Sequence, residues 1–169
     1  MANTYTLISS NVLSSSAASV TFSAIPATYT DLVLRITSRE TVTQNSIILA
    51  LNGDSATNYS RTILLGTGSA AVSARESSQT SLIALYDEDA SFTANTFNSM
   101  EIYIPSYTAS QNKPIGIIGV SENNATLARM CDTAGLWRNT ASLNQIVLSK
   151  TGSNFVSGSS FYLYGIKSS

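Results

Sequence analysis

Apolar and polar residues alternate with a period of two along much of this chain, the mark of strands with one buried face. In Asp31 to Ser38 (DLVLRITS), Leu32, Leu34 and Ile36 share one face, while Val33, Arg35 and Thr37 share the other. The first face is read as core, with Arg35 turned to solvent or a partner. In Asn98 to Ile104 (NSMEIYI), Met100, Ile102 and Ile104 oppose Glu101 and Tyr103 in the same way. Ser46 to Leu51 (SIILAL) and Ser81 to Tyr86 (SLIALY) are continuous apolar runs of strand length. The final stretch, Gly152 to Ile166 (GSNFVSGSSFYLYGI), becomes apolar on both faces: Phe161 and Leu163 on one, Tyr162, Tyr164 and Ile166 on the other. Such a strand is expected between two neighbours and not at a sheet edge.

Thr4 to Ile8, Ser19 to Phe22, Arg61 to Leu65, Ile115 to Val120, Leu127 to Asp132 and Leu143 to Leu148 complete a set of about ten strands. Turn formers separate them, among them Pro26, Asn52-Gly53-Asp54, Pro105 and Asn123-Asn124. The two glycines of Ile115 to Val120 (IGIIGV) predict a bulge or a close backbone approach. Thr67 to Thr80 is rich in Ala and Ser and reads as a long loop with poor strands. No helical period is sustained anywhere. Short strands at regular spacing predict an all-β fold: an antiparallel β-sandwich, jelly-roll-like, as a single domain over residues 20–169. Leu34, Ile36, Leu49, Ile102 and Leu163 are its expected core. Residues 1–19 form an N-terminal strand and Ser-rich arm. The arm has too few apolar groups for a core of its own, so it is expected to add a strand to a neighbouring copy or lie across it.

Composition sharpens this picture. The 169 residues include 29 Ser, 19 Thr and 13 Asn, only 11% are charged, and His is absent. Low charge with abundant Ser and Thr would suit disorder, but 43% apolar residues in regular short runs point to a folded β protein. A formal charge of −1 provides no general pull toward nucleic acid or an anionic membrane, so neither is an expected partner. It also leaves little repulsion between copies, which favours life in an assembly. Cys131 is the single cysteine, so no internal disulfide is expected. Met1 to Ser10 lacks the basic start and apolar centre of a signal peptide, and no run reaches transmembrane length; synthesis in a cytoplasm is the expectation.

Candidate chemistry is sparse. Without His, the Ser-His-Asp and Cys-His arrangements are excluded, no Ser lies in a Gly-x-Ser-x-Gly elbow, and no cofactor motif is present. No catalytic residue is assigned. A carboxylate pair for polysaccharide cleavage would draw on acids such as Asp54, Asp87 or Asp89, but no spacing selects one. Asp87-Glu88-Asp89 is the one acidic cluster, readable as a calcium loop or as a solvated loop tip. Asn52, Asp54 and Asn58 are readable as a second oxygen-rich loop or simply as a turn. Cys131 reads as a small buried hydrophobe. Tyr59, Tyr107 and Trp137 stand beside turns and Arg129 and Arg138 flank the Trp, so these five form the candidate interface. Aromatics there suit a partner surface, and equally suit capping one end of a sandwich.

Five segments carry a family resemblance: "FSAIPATYTDLVLRI", "LNGDSATNYS", "MEIYIPSY", "GLWRNTASLNQIVL" and "GSSFYLYGI". Together, over about Val20 to Ile166, they resemble a β-sandwich domain common in virion structural proteins of tailed bacteriophages. The resemblance implies a component of the virion, made in the host cytoplasm and without enzymic activity. Its first implied role is a capsid decoration or cement protein, sitting as a small homo-oligomer, a homotrimer in particular, on the major capsid protein lattice. The alternative is a tail-fibre or other tail-associated protein that binds a host glycan, with a polysaccharide-degrading enzyme more remote. Each shared segment is structural, so the resemblance speaks to the particle and not to a reaction.

Overall fold

The computed structural model describes residues 4–41, 46–86, 93–122, 124 and 128–167. Twelve strands are present among them: β1 (Tyr5–Val12), β2 (Ser19–Phe22), β3 (Asp31–Thr37), β4 (Ser46–Leu51), β5 (Tyr59–Gly66), β6 (Ala71–Gln79), β7 (Leu82–Tyr86), β8 (Ser99–Ile104), β9 (Lys113–Glu122), β10 (Ala128–Trp137), β11 (Ile146–Lys150) and β12 (Ser160–Ile166). They form an eight-stranded sheet in the order β1-β12-β3-β8-β9-β10-β5-β6 and a four-stranded sheet in the order β2-β11-β4-β7. Every pairing is antiparallel. The chain crosses repeatedly between the sheets. Without β1, β12 and the β8–β9 hairpin, β2-β11-β4-β7 faces β3-β10-β5-β6, which is the interleaving of a jelly roll.

The four-stranded sheet and the inner face of the large sheet enclose one core, including Leu34, Ile36, Leu49, Ile102 and Leu163 as expected. Alternation is the cause. Even-numbered residues of β3 and β8 face inward, and each inward residue meets an inward residue on the adjacent strand, as Leu34 meets both Ile102 and Leu163. The final strand is inserted between β1 and β3. Gly165 has a steric reason: a Cβ built on it would run into the Tyr29 ring, so only glycine lets that ring seat on the strand.

Two expectations need correction. Thr67 to Thr80 is not mainly loop: β6 occupies Ala71–Gln79 at the sheet edge, where Arg61 on β5 grips Glu76 through Nε (2.9 Å) and Nη2 (3.0 Å) and also donates to the Ile83 carbonyl (3.0 Å). IGIIGV contains no bulge; β9 keeps regular register against β8 and β10, and a Cβ at Gly116 would meet nothing within 4 Å. Within the chain, the N-terminal arm adds a strand to the edge of the large sheet. β1 pairs with β12, Ile8 packs on the core, and Ala17 bridges Phe155. The C-terminal strand supplies the edge that the arm needs.

Candidate contact surface

The five residues expected at an interface do not converge. Tyr59, Tyr107 and Trp137 are fully buried and cannot form a contact surface. Each has its polar atom satisfied inside the chain, which is what allows a residue beside a turn to be core. Trp137 Nε1 donates to Asp54 Oδ2 (2.8 Å), and its ring stacks on Tyr59 at 6.4 Å. Tyr59 Oη accepts from the Leu51 amide (3.0 Å), and burial pushes its phenol up to about 12. Tyr107 Oη donates to the Pro26 carbonyl. Arg138 is exposed and donates to the Thr57 carbonyl (2.6 Å), while Arg129 is half-buried near the opposite end of β10. The end-capping reading describes the aromatics.

The same network decides the Asn52-Gly53-Asp54 loop. Asn52 and Gly53 both have positive φ, 51° and 66°, which turns the chain after β4. Asp54 then accepts from Asn58 (2.8 Å), Trp137, Asn139 (3.3 Å) and the Ala56 amide (2.9 Å). Bonds from Asn58 and Trp137 hold its carboxyl down at about 2. A carboxylate surrounded by N–H donors is a structural hub, so the cation reading of this loop is set aside. Asp87, Glu88 and Asp89 lie outside the described residues. Among the described residues, no group of three or more His, Cys, Asp or Glu side chains could hold a metal ion. Cys131 is buried, and desolvation pushes its thiol up, away from the reactive thiolate.

What sequence reasoning missed is the outer face of the large sheet. The strand registers lay its outward residues in rows. One runs Tyr162–Arg35–Glu101–Ile118–Asp132–Leu64 across six strands. A second runs Ser99–Val120–Met130, and a third Tyr164–Val33–Tyr103–Gly116–Ala134. On the β12 side the tyrosines form a roof. Val33 points outward yet is 1% exposed, because Tyr164 and Tyr103 stand on either side of it. Tyr103 is fixed by donating to Asp31 Oδ2 (2.9 Å), and Tyr5 meets Tyr164 edge-on at 6.3 Å.

On the β10 side the face is open and aliphatic. Leu64 is 56% exposed, Ile118 56%, Val120 45% and Met130 61%. Single exposed apolar residues are ordinary, but Ile118, Val120 and Met130 adjoin on one sheet face, with Leu64 just beyond Asp132, and together form the kind of patch that marks an interaction site. Arg35 and Glu101 pair at 3.2 Å between the two halves. Both are too exposed for the pair to add more than about 1 kcal/mol. A shallow groove of about 460 Å³ lies beside them, lined by Thr37, Ser99, Ile118, Val120 and Tyr162. The signal was in the sequence: IGIIGV exposes every second residue, and a continuous apolar run on a one-sided sheet must leave some of them bare. No protein-family model and no curated protein matches this chain.

Proposed function

We propose that this chain is a structural component of a tailed-phage virion that works by broad surface contact and not by catalysis. In this reading it is a decoration or cement protein that packs on the major capsid protein lattice as part of a small homo-oligomer. The observation that carries the contact role is the outer face of the large sheet, with Leu64, Ile118, Val120 and Met130 bare. An apolar patch bordered on its β8 side by Arg35 and Glu101, with Asp132 set between Ile118 and Leu64, combines the apolar and polar contacts of a protein interface. The phage class rests on the resemblance of the sequence segments. The groove beside Tyr162 favours a second reading, a tail-associated domain in which the ring and the Arg35–Glu101 pair receive a host glycan.

The test is add-back of purified chain to particles of its phage that lack it. Ile118→Glu with Met130→Glu changes exposed side chains only and is expected to leave the melting temperature within a few degrees. Occupancy on particles should fall at least tenfold. Undiminished occupancy would remove the outer face from the account, and binding to host cells in place of particles would select the glycan reading.

A further inference from the structure

Edge strands expose unpaired backbone groups, and proteins usually blunt them by shortness or bulges. Three of this sandwich's four edges are treated in that way. β2 has four residues, β7 has five and pairs through a register shift, and β1 is broken by a shift between Leu7 and Ser9. β6 is different. From Ala71 to Glu76 it runs opposite Gly66 to Arg61 in unbroken register, and its irregularity comes only beyond Glu76. It is also exposed on both faces, with Glu76 alone half-buried, because the four-stranded sheet ends at β7 and does not reach it. A strand so placed offers a regular ladder that another extended backbone fits.

We propose that two copies of this chain join β6 to β6 as antiparallel strands about a two-fold axis at Ser73. The register follows from the paired length and the side chains: centring on Val72 would pair only Ala71 to Ser73 within the strand, against Ala71 to Arg75 for a centre at Ser73. Residues directly opposite in an antiparallel pair share a face, so the axis must pass at a residue. Centring on Arg75 would set two guanidinium groups opposite each other. Centring on Ala74 would set Val72 against the carboxylate of the partner's Glu76. Centring on Ser73 sets Ser73 against the partner's Ser73 and Ala71 against the partner's Arg75 on the outer face. On the inner face Val72, which is 48% exposed, meets the partner's Ala74. Like charges are kept apart and the exposed valine is covered. The contact is isologous, and five paired residues make an interface well below the roughly 800 Å² a side of a standard complex, so a micromolar dimer is expected.

This inference does not depend on the virion reading, and it is tested on the purified full-length chain alone. Sedimentation across the micromolar range should show a monomer–dimer equilibrium. Ser73→Glu opposes two carboxylates across the axis and should weaken it at least tenfold. Ala71→Glu faces the partner's Arg75 and should tighten it severalfold. Opposed Cα atoms in such a pair lie about 4.5–5.5 Å apart, within disulfide range. Since Cys131 is buried, Ser73→Cys should cross-link into a covalent dimer on oxidation while Ser77→Cys should not. A monomer or a trimer at every concentration, a dimer indifferent to Ser73→Glu, or equal cross-linking at both cysteines would overturn the pairing.

Discussion

Lys150→Met is expected to destabilise the chain by about 3–5 kcal/mol at pH 6, where the folded Lys150 still carries its charge, while Glu40→Gln combined with Lys150→Met should come close to wild type. Both side chains are fully buried, with Lys150 Nζ 3.8 Å from Glu40 Oε2 and 5.2 Å from the centre of the Phe155 ring. Removing one partner leaves the other's buried charge without its opposite, whereas removing both removes that penalty. The pair also sets a pH dependence. Burial pulls the Lys150 ammonium down to about 7, against the opposing pull of Glu40. The unfolded chain keeps that proton up to about pH 10.5, so between pH 7 and 10 it binds more protons than the folded chain, and stability rises with pH. Tyr59 acts in the opposite direction. Its phenol sits at about 12 when folded and about 10 when free, so stability falls between pH 10 and 12. Chemical denaturation from pH 6 to 11 should show a maximum near pH 10, with a smaller rise in the double variant. A flat profile, or a double variant as unstable as Lys150→Met, would show that the pair is not desolvated as described.

Leu163→Ala should cost about 2–5 kcal/mol, a loss of roughly 5–15 °C in melting temperature for a domain of this size. Leu163 is fully buried, faces Leu34 across the ladder, and sits on the strand that joins β1 to the rest of the sheet. Gly165→Ala tests the same strand by the opposite means. It should cost about 1–3 kcal/mol, because Tyr29 must leave its seat. Thermal melts of both variants measure this. Unchanged melts would make the final strand peripheral.

The fold was largely legible because most strands carry one buried face. The alternation in Asp31 to Ser38 and Asn98 to Ile104 could be read directly, and the two-sided apolar character of Phe161 to Ile166 marked an interior strand. β6 escaped because it buries almost nothing: AVSARESSQ has no apolar stripe, and its place is set by backbone pairing and by the Arg61–Glu76 grip, which sequence does not display. The contact surface was misplaced for a related reason. Adjacency to a turn was read as exposure for Tyr59, Tyr107 and Trp137, yet Asp54, Leu51 and Pro26 lie where they can satisfy the polar atoms and let the rings go inside. In the other direction, Ile118, Val120 and Met130 belong to apolar strands whose bare face the sequence does not mark. Only the sheet order shows that no second layer covers the outer face of β8, β9 and β10 among the described residues.

The measurement that bears most directly on the contact role is a reconstruction of the intact phage particle at a resolution that separates strands. The expected result is this sandwich on the capsid surface, with Leu64, Ile118, Val120 and Met130 pressed against the lattice and the Arg35–Glu101 pair at the rim of the contact. A particle without this chain, or a sandwich whose large outer face is turned wholly to solvent while other surfaces hold it in place, would contradict the account.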